Sequence, residues 1–339
     1  MTPAFDYQVY GLRLRADRPL PRLTDARGAE ASDICVDLSG RVPDSVQSAV
    51  ATDWVRSHDL ETDDQEEAQT WTLRVGDRRY LRLRYEIEGR HAEFVLDPAG
   101  TQVWASWADG VVFEDVTSFL LGPVLGCVLR LRGLPCLHAG VVGIGPRALA
   151  LAGSKAAGKS TMAAGLAEQG APVLSDDIAV LAREGERYIV QPGAPRLRLW
   201  KPAIESFYGS RDELPRVVSH RNKRYLDLAA EDRATKWRFG AEPLPLAAVY
   251  VLGPRDSTST TASIRPLSPA QGLLALTAHS YANHFLSREA RAHEFAFLGD
   301  LVQQVPVRQV ERPDAMDAVS GLCRMIRHDF KQLGRPTGT

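Results

Sequence analysis

The octet Gly153-Ser154-Lys155-Ala156-Ala157-Gly158-Lys159-Ser160 fits the pattern G-x-x-x-x-G-K-[ST]. Glycines at this spacing let backbone N–H groups converge on phosphate oxygens, and a helix that follows presents its positive end. In that setting Lys159 reaches the β and γ phosphates of a nucleotide and Ser160 ligates Mg²⁺. The octet follows the apolar run Ala148-Leu149-Ala150-Leu151-Ala152 and opens an alanine-rich stretch, the strand–loop–helix context that the chemistry needs. The expected nucleotide-binding residues are these eight together with Thr161, and the expected cofactors are ATP and Mg²⁺.

Seventeen residues after Lys159 comes Leu174-Ser175-Asp176-Asp177, two adjacent carboxylates ending a short apolar run. The carboxyl ends of strands in open α/β sheets face the ligand crevice, so a helix followed by a strand returns this pair to the phosphate loop. One carboxylate is suited to act as a base on an incoming hydroxyl and the other to hold the metal. Twenty-one residues before Lys159 stands His138, in Leu137-His138-Ala139-Gly140. Its place ahead of the strand feeding the loop suits it to hydrogen-bond a catalytic aspartate and fix its orientation. The basic stretch His220-Arg221-Asn222-Lys223-Arg224 reads as a mobile loop able to reach a transferring phosphate or an acceptor carboxylate, since the arginine fork binds two oxygens. Arg196 and Arg198 alternate on a short strand and are candidates to line the same site.

The elements that must position these residues form an α/β pattern. Val141–Ile144 and Ala148–Ala152 read as two strands joined at Gly145-Pro146-Arg147, Ser160–Gln169 as a helix ended by Gly170, and Pro172–Leu174 as a buried strand. Leu246–Leu252 reads as a further strand, residues 255–261 as an exposed turn or loop, and residues 267–305 as helical. Ahead of this core, residues 1–110 are strand-rich: Asp33–Leu38 and Tyr80–Tyr85 alternate apolar and polar positions, and Tyr7–Arg15 does so in part. From Val116 to Arg132 the apolar spacing suits a buried helix that Pro123 kinks or starts. The expected domains are therefore a strand-rich one over 1–110, suited to acceptor binding, and a catalytic one over 111–334.

Composition narrows the function classes. Of the 339 residues 44% are hydrophobic and 24% charged, enough to build a core. Lys plus Arg number 41 against 42 Asp plus Glu, so no basic excess points to nucleic acid or an anionic membrane. The four cysteines form no CxxC pair, which excludes a zinc ribbon, and no apolar run is long enough to span a bilayer. The expectation is a cytoplasmic protein. His279, His284 and His293 are spaced by five and nine, so they share no helical face as a metal pair would. Trp54, Trp71, Trp104 and Trp107 lack the interleaved basic residues of a nucleic-acid stacking platform and read as core or interface aromatics.

The order "LHAG", "GSKAAGKS", "LSDD" resembles the catalytic core of the HPr kinase/phosphorylase family. More closely it is similar to the related serine kinases of peptide natural-product clusters, lasso peptide clusters among them, which carry a segment like Gln191–Trp200 followed by a basic stretch. The resemblance covers about 115–310. It implies the P-loop kinase core of the HPr kinase and phosphoenolpyruvate carboxykinase type, with Asp176 as general base, Asp177 beside the metal with Ser160, and His138 as the family's histidine. With them Lys159, Lys223 and Arg224 make up the expected catalytic set, and the resemblance allows a homo-oligomer. The glycine- and arginine-rich signature of the bifunctional enzymes has no clear counterpart after the second carboxylate strand, which points away from phosphorolysis and from HPr as acceptor.

The reading that follows is an ATP- and Mg²⁺-dependent kinase acting on a serine or similar hydroxyl of a peptide or small protein, such as a ribosomal natural-product precursor. A small-molecule hydroxyl kinase and a non-catalytic nucleotide switch are the alternatives. The intact set Lys159, Ser160, Asp176 and Asp177 argues against the switch.

Overall fold

The computed structural model describes residues 4–26, 31–40, 42, 54–56, 60–61, 67–208, 224–228 and 237–333. The chain is mixed α/β with two large sheets and divides into two compact units. Of the described residues, the first holds those up to Leu134 and Ala282–Leu286, and the second holds the others.

The first unit is a nine-stranded sheet: β1 (Phe5–Val9), β2 (Leu12–Ala16), β3 (Ile34–Asp37), β4 (Val55–Arg56), β5 (Leu60–Glu61), β6 (Glu67–Val75), β7 (Arg78–Ile87), β8 (Arg90–Leu96) and β9 (Gln102–Trp107). The order is β1-β2-β3-β9-β8-β7-β6-β4, with β5 on β6. Alternation decides which face is buried. In β7 Leu81, Leu83, Tyr85 and Ile87 are buried, while Arg82 points the other way, pairs with Glu93 and lies 5.0 Å over the Trp71 ring. The Tyr7–Arg15 stretch is two strands rather than one, because Tyr10 and Gly11 both take positive φ and turn the chain back.

Helices α1 (Phe113–Phe119) and α2 (Leu125–Leu131) flank a distorted turn over Leu120–Val124, where Gly122 leaves helical geometry just before Pro123. The Phe119 ring stacks on Tyr85 at 4.1 Å. This helical segment groups with the first compact unit, whose main stretch runs to Leu134.

The second unit begins with β10 (Cys136–Ile144), β11 (Arg147–Gly153), α3 (Lys159–Glu168), β12 (Val173–Ser175), β13 (Ile178–Glu184), β14 (Arg187–Gln191), β15 (Arg196–Leu199) and α4 (Lys201–Tyr208). It continues with β16 (Arg224–Asp227), β17 (Leu244–Asp256), β18 (Ser263–Pro266), α5 (Pro269–Ala278), α6 (Arg288–Gln304), β19 (Val307–Pro313) and α7 (Ala318–Gln332). The main sheet runs β11-β10-β13-β14-β17-β19-β18, and β11 also pairs with β17, so five strands close on themselves. Two long strands permit closure by changing partner along their length. Residues 136–138 of β10 pair with β13 and 139–144 with β11. The start of β17 pairs with β14 and residues 246–252 with β11, while β19 pairs along it from Val249 to Asp256.

β11, β17 and β19 are parallel, and their residues alternate between two cores, as strands buried on both faces require. Leu149, Leu151, Ala248, Tyr250 and Leu252 face one core with α3, α4 and α7. Ala148, Ala150, Ala152, Val249 and Val251 face the other with α5 and α6. Within the first of these cores α3 meets α7 at Gly165, where an added Cβ would lie 2.7 Å from Cys323 Sγ and 3.2 Å from Val319. Gly165→Ala is therefore expected to destabilise. Overpacking costs about 1–3 kcal/mol, against a helix-propensity gain of about 1 kcal/mol. Thermal unfolding of Gly165→Ala, Cys323→Ala and the double variant checks this, with the second substitution restoring part of the loss if the thiol is the obstacle. No helix among the described residues is long and apolar enough to cross a membrane.

Candidate functional site

The site lies at the carboxyl end of β11. The glycine-rich loop leaves the strand at Gly153 (φ +159°), and Ala156 (+60°) and Gly158 (+81°) take left-handed backbone before α3 starts. At Gly153 a Cβ would meet the Ala157 side chain at 3.0 Å and the Leu252 carbonyl at 3.2 Å, so only glycine fits. Ser154, Lys155 and Ala156 are exposed, whereas Ala157 and Lys159 are buried, and Gly158, Ser160 and Thr161 lie between. The Lys159 ammonium donates to the carbonyls of Gly153 and Ser154, both at 3.1 Å. It thereby lies along the loop at the positive end of α3, whose first turn carries no acidic residue and no side-chain cap.

Helix α3 and β12 bring the aspartates back to the loop. Ser160 Oγ donates to Asp176 Oδ1 at 2.9 Å, and the Arg198 backbone N–H donates to Oδ2 at 2.8 Å. The second carboxylate stands on a tight turn. Asp177 has φ +69°, a region in which aspartate is among the few tolerated side chains, and Ser175 Oγ closes the turn on the Ile178 carbonyl at 2.6 Å. The turn aims Asp177 at the Arg198 guanidinium, with which it forms an ion pair. Both carboxylates are almost wholly buried.

Asp177 Oδ1 is buried with no hydrogen-bond partner among the described residues. A serine hydroxyl and two carboxylates form a hard oxygen set, and one carboxylate retains acceptor capacity, so the residues fit Mg²⁺. No cluster of three or more His, Cys, Asp or Glu able to hold a metal occurs among the described residues. An ion held by few carboxylates and by substrate phosphates needs none.

His138 lies inside β10, opposite Ile178 and one strand ahead of β11, which feeds the loop. Its Nδ1 is 3.1 Å from the Asp177 backbone carbonyl, so the contact is with the backbone of the second aspartate and not with the carboxylate of the first. Lys223 lies outside the described residues. Arg224 stands in β16 across from Leu199. Of the two alternating arginines, Arg198 reaches the aspartates, while Arg196 is buried in β15.

No protein-family model matches the chain, and no curated protein matches it. Among solved structures it is similar, over 59% of its length, to the Hpr(Ser) kinase/phosphatase from Coxiella burnetii, with 11% identity and a TM-score of 0.33, covering 99% of that chain. A likeness this loose carries no argument, and the geometry of the residues must stand alone.

Two groups escape a reading of the sequence by itself. The first is His279. The segment after α5 pairs with the start of β10: His138 N–H donates to the His279 carbonyl at 2.7 Å, and Tyr281 N–H to the Cys136 carbonyl at 2.8 Å. Buried Glu294 fixes it by accepting from Ser280 Oγ at 2.7 Å and from Cys136 N–H at 3.3 Å. Burial, with the nearby charges of Lys159 and His138, pushes the His279 imidazole down to about 4. Unfolded, it takes up a proton near its ordinary value of about 6.5. Between these values the unfolded chain binds more protons, so stability is present above about 6.5 and lost as pH falls toward 4. His279→Gln is expected to flatten the acid limb of the stability curve by on the order of 1 kcal/mol, after allowance for its partial exposure. Denaturant melts at several pH values check it.

The second group is Arg255 and Arg312. Residues 255–261 read as an exposed turn or loop; Arg255 is exposed, but β17 continues through Asp256. Arg255 is the register partner of Arg312 on β19, and both reach the glycine-rich loop. The available signal was their position, since the carboxyl ends of parallel strands meet where the loop begins.

Proposed function

We propose that the chain is an ATP- and Mg²⁺-dependent kinase that transfers the γ-phosphoryl group to a serine or similar hydroxyl of a peptide or small protein. The observation that carries this is the 2.9 Å hydrogen bond from Ser160 Oγ to Asp176, because it puts a carboxylate suited to proton abstraction beside the loop suited to phosphate. The motif order that resembles the HPr kinase/phosphorylase family agrees with it. Phosphoryl transfer asks little covalent chemistry of the protein; positioning and charge neutralisation do most of the work.

Lys159 and the N-terminal turn of α3 bind the phosphates. Asp176 takes the proton of the acceptor hydroxyl as its oxygen bonds to the γ phosphorus, the bond to the bridging oxygen breaks, and ADP departs. Ser160 and Asp177 would hold Mg²⁺, which would supply neutralisation of the phosphate charge. His138, on the Asp177 carbonyl, holds the turn that carries the carboxylates. Lys223 and Arg224 complete the proposed catalytic set as cations for the transferring group. The strand-rich first unit offers edges with which an extended peptide can pair.

The test is intact-mass measurement of short peptides encoded beside the gene after incubation with the protein, ATP and Mg²⁺. A phosphate-sized gain, absent with Asp176→Asn, supports the reading, and fragmentation locates the hydroxyl. Tight ATP binding with no peptide modified moves the acceptor to a small hydroxylated metabolite.

A further inference from the structure

At the carboxyl ends of β17 and β19, Arg255 and Arg312 are register partners across two parallel strands. Each donates to one carbonyl of the glycine-rich loop, Arg255 to Ala156 at 3.4 Å and Arg312 to Ala157. Both guanidinium groups come close to Gly158, where a Cβ would lie 3.3 Å from Arg312 and 3.5 Å from Arg255, so the glycine leaves room for the pair. Lys159 takes the carbonyls of Gly153 and Ser154. Four carbonyls of the loop are thus each held by a cation.

A trans peptide unit points its carbonyl and the following N–H in opposite directions. A guanidinium that holds the Ala157 carbonyl therefore turns the Gly158 N–H the other way. Arg255 does the same for the next unit back, whose Ala157 N–H closes the turn on the Ser154 carbonyl at 3.1 Å. Ala156 takes left-handed backbone at φ +60°, which is unfavourable for a residue with a Cβ and persists only where its surroundings hold it. The arginine on its own carbonyl is such a hold. Left-handed turns of this kind are what make backbone N–H groups converge into an anion-binding concavity.

The arrangement works against stability. Arg312 is 7% exposed, and its Nε has no acceptor among the described residues. Burial and the charge of Arg255 push its guanidinium down to about 10. The Asp314 carboxylate reaches Arg255, at 3.3 Å, and both of those side chains are exposed. A buried cation bonded to a carbonyl is costly, and an apolar chain of similar length would pack in its place at less cost. Its presence beside the loop points to a role outside stability.

Resting on the nucleotide-binding reading of the loop, we propose that Arg312, assisted by Arg255, is a positioning residue for the phosphate loop. The pair holds the Ala156 and Ala157 carbonyls so that the loop keeps its left-handed turns and the Gly158 N–H stands ready for phosphate before the nucleotide arrives. Neither guanidinium has to touch the nucleotide. The gain is preorganisation, since a loop already held in its binding conformation loses less affinity to ordering.

The experiment measures binding of ATP and of inorganic tripolyphosphate, each with Mg²⁺, by calorimetry on the full chain, together with the melting temperature of the free protein. Arg312→Met is expected to weaken both ligands alike by about 5- to 30-fold, the penalty of re-forming one left-handed residue on binding, while the melting temperature holds or rises. Arg255→Ala removes the exposed clamp and is expected to weaken both by about 2- to 10-fold, at low and at high salt alike. Unchanged affinities in Arg312→Met overturn the proposal, and so does a loss confined to ATP, because the loop addresses phosphate. A lowered melting temperature or a failure to fold makes Arg312 merely structural and overturns its part. Arg255→Ala then tests the clamp from the exposed side, where an unchanged affinity, or a loss that vanishes in high salt as a long-range charge effect does, overturns the rest. If wild type binds neither ligand, the nucleotide-binding reading itself fails, whereas binding that survives both variants fails the clamp alone.

Discussion

Asp176→Asn is expected to leave ATP affinity nearly unchanged while turnover falls by roughly 10²–10⁴-fold, the usual contribution of a positioned general base. The amide keeps the size of the carboxylate and one oxygen. That oxygen can still accept from Ser160 Oγ or from the Arg198 N–H, the two bonds that fix the side chain. What it loses is the capacity to take a proton. A structural role predicts something else: a lower melting temperature and a parallel fall in ATP affinity, because the turn between β12 and β13 would relax. The split between kcat and nucleotide Kd separates the two. Equal turnover in variant and wild type would remove the assignment.

The local motifs were legible in the sequence because each is a matter of spacing. The β10–β11 hairpin is signalled by Gly145-Pro146, the helix start by Gly158 and the helix end by Gly170, which has φ +86°. Glycine at a left-handed position is a requirement that the chain writes into its own residues. Likewise, β7 declares its buried face by period-two alternation. Pairing registers are not written this way. That Arg255 stands opposite Arg312, or that the segment after α5 returns to the start of β10, depends on contacts between residues far apart in the chain. Hence residues 267–305, read as helical, break between Ala278 and Arg288, and the break delivers His279 to the site.

His138 shows the same limit. Its type and its place near the loop marked it, yet its partner follows from the register of β10 on β13, which sets Nδ1 against the Asp177 carbonyl and not against a carboxylate. Arg198 was one of two alternating arginines with equal claim. Strand β15 settles the difference, since its backbone at Arg198 already bonds Asp176 and so carries the side chain to Asp177. The carboxylate pair is thus held by one hydroxyl from the first turn of α3 and by an N–H and a guanidinium that the single residue Arg198 of β15 supplies.

Lys159→Ala is expected to weaken binding and turnover together, unlike Asp176→Asn. The ammonium is 4% exposed and spans two loop carbonyls, so its removal takes away both a cation for phosphate and a clasp on the loop. Hydrogen bonds to a charged group are worth about 1.5–3 kcal/mol, so ATP affinity is expected to fall by about 10- to 150-fold. Lys159→Arg should rescue little. The guanidinium is planar and larger, and it cannot place a compact charge between the Gly153 and Ser154 carbonyls. Inorganic tripolyphosphate should lose affinity in Lys159→Ala by the same factor as ATP, because the lysine addresses phosphate alone. A tripolyphosphate affinity that survives the loss of Lys159 would contradict this role.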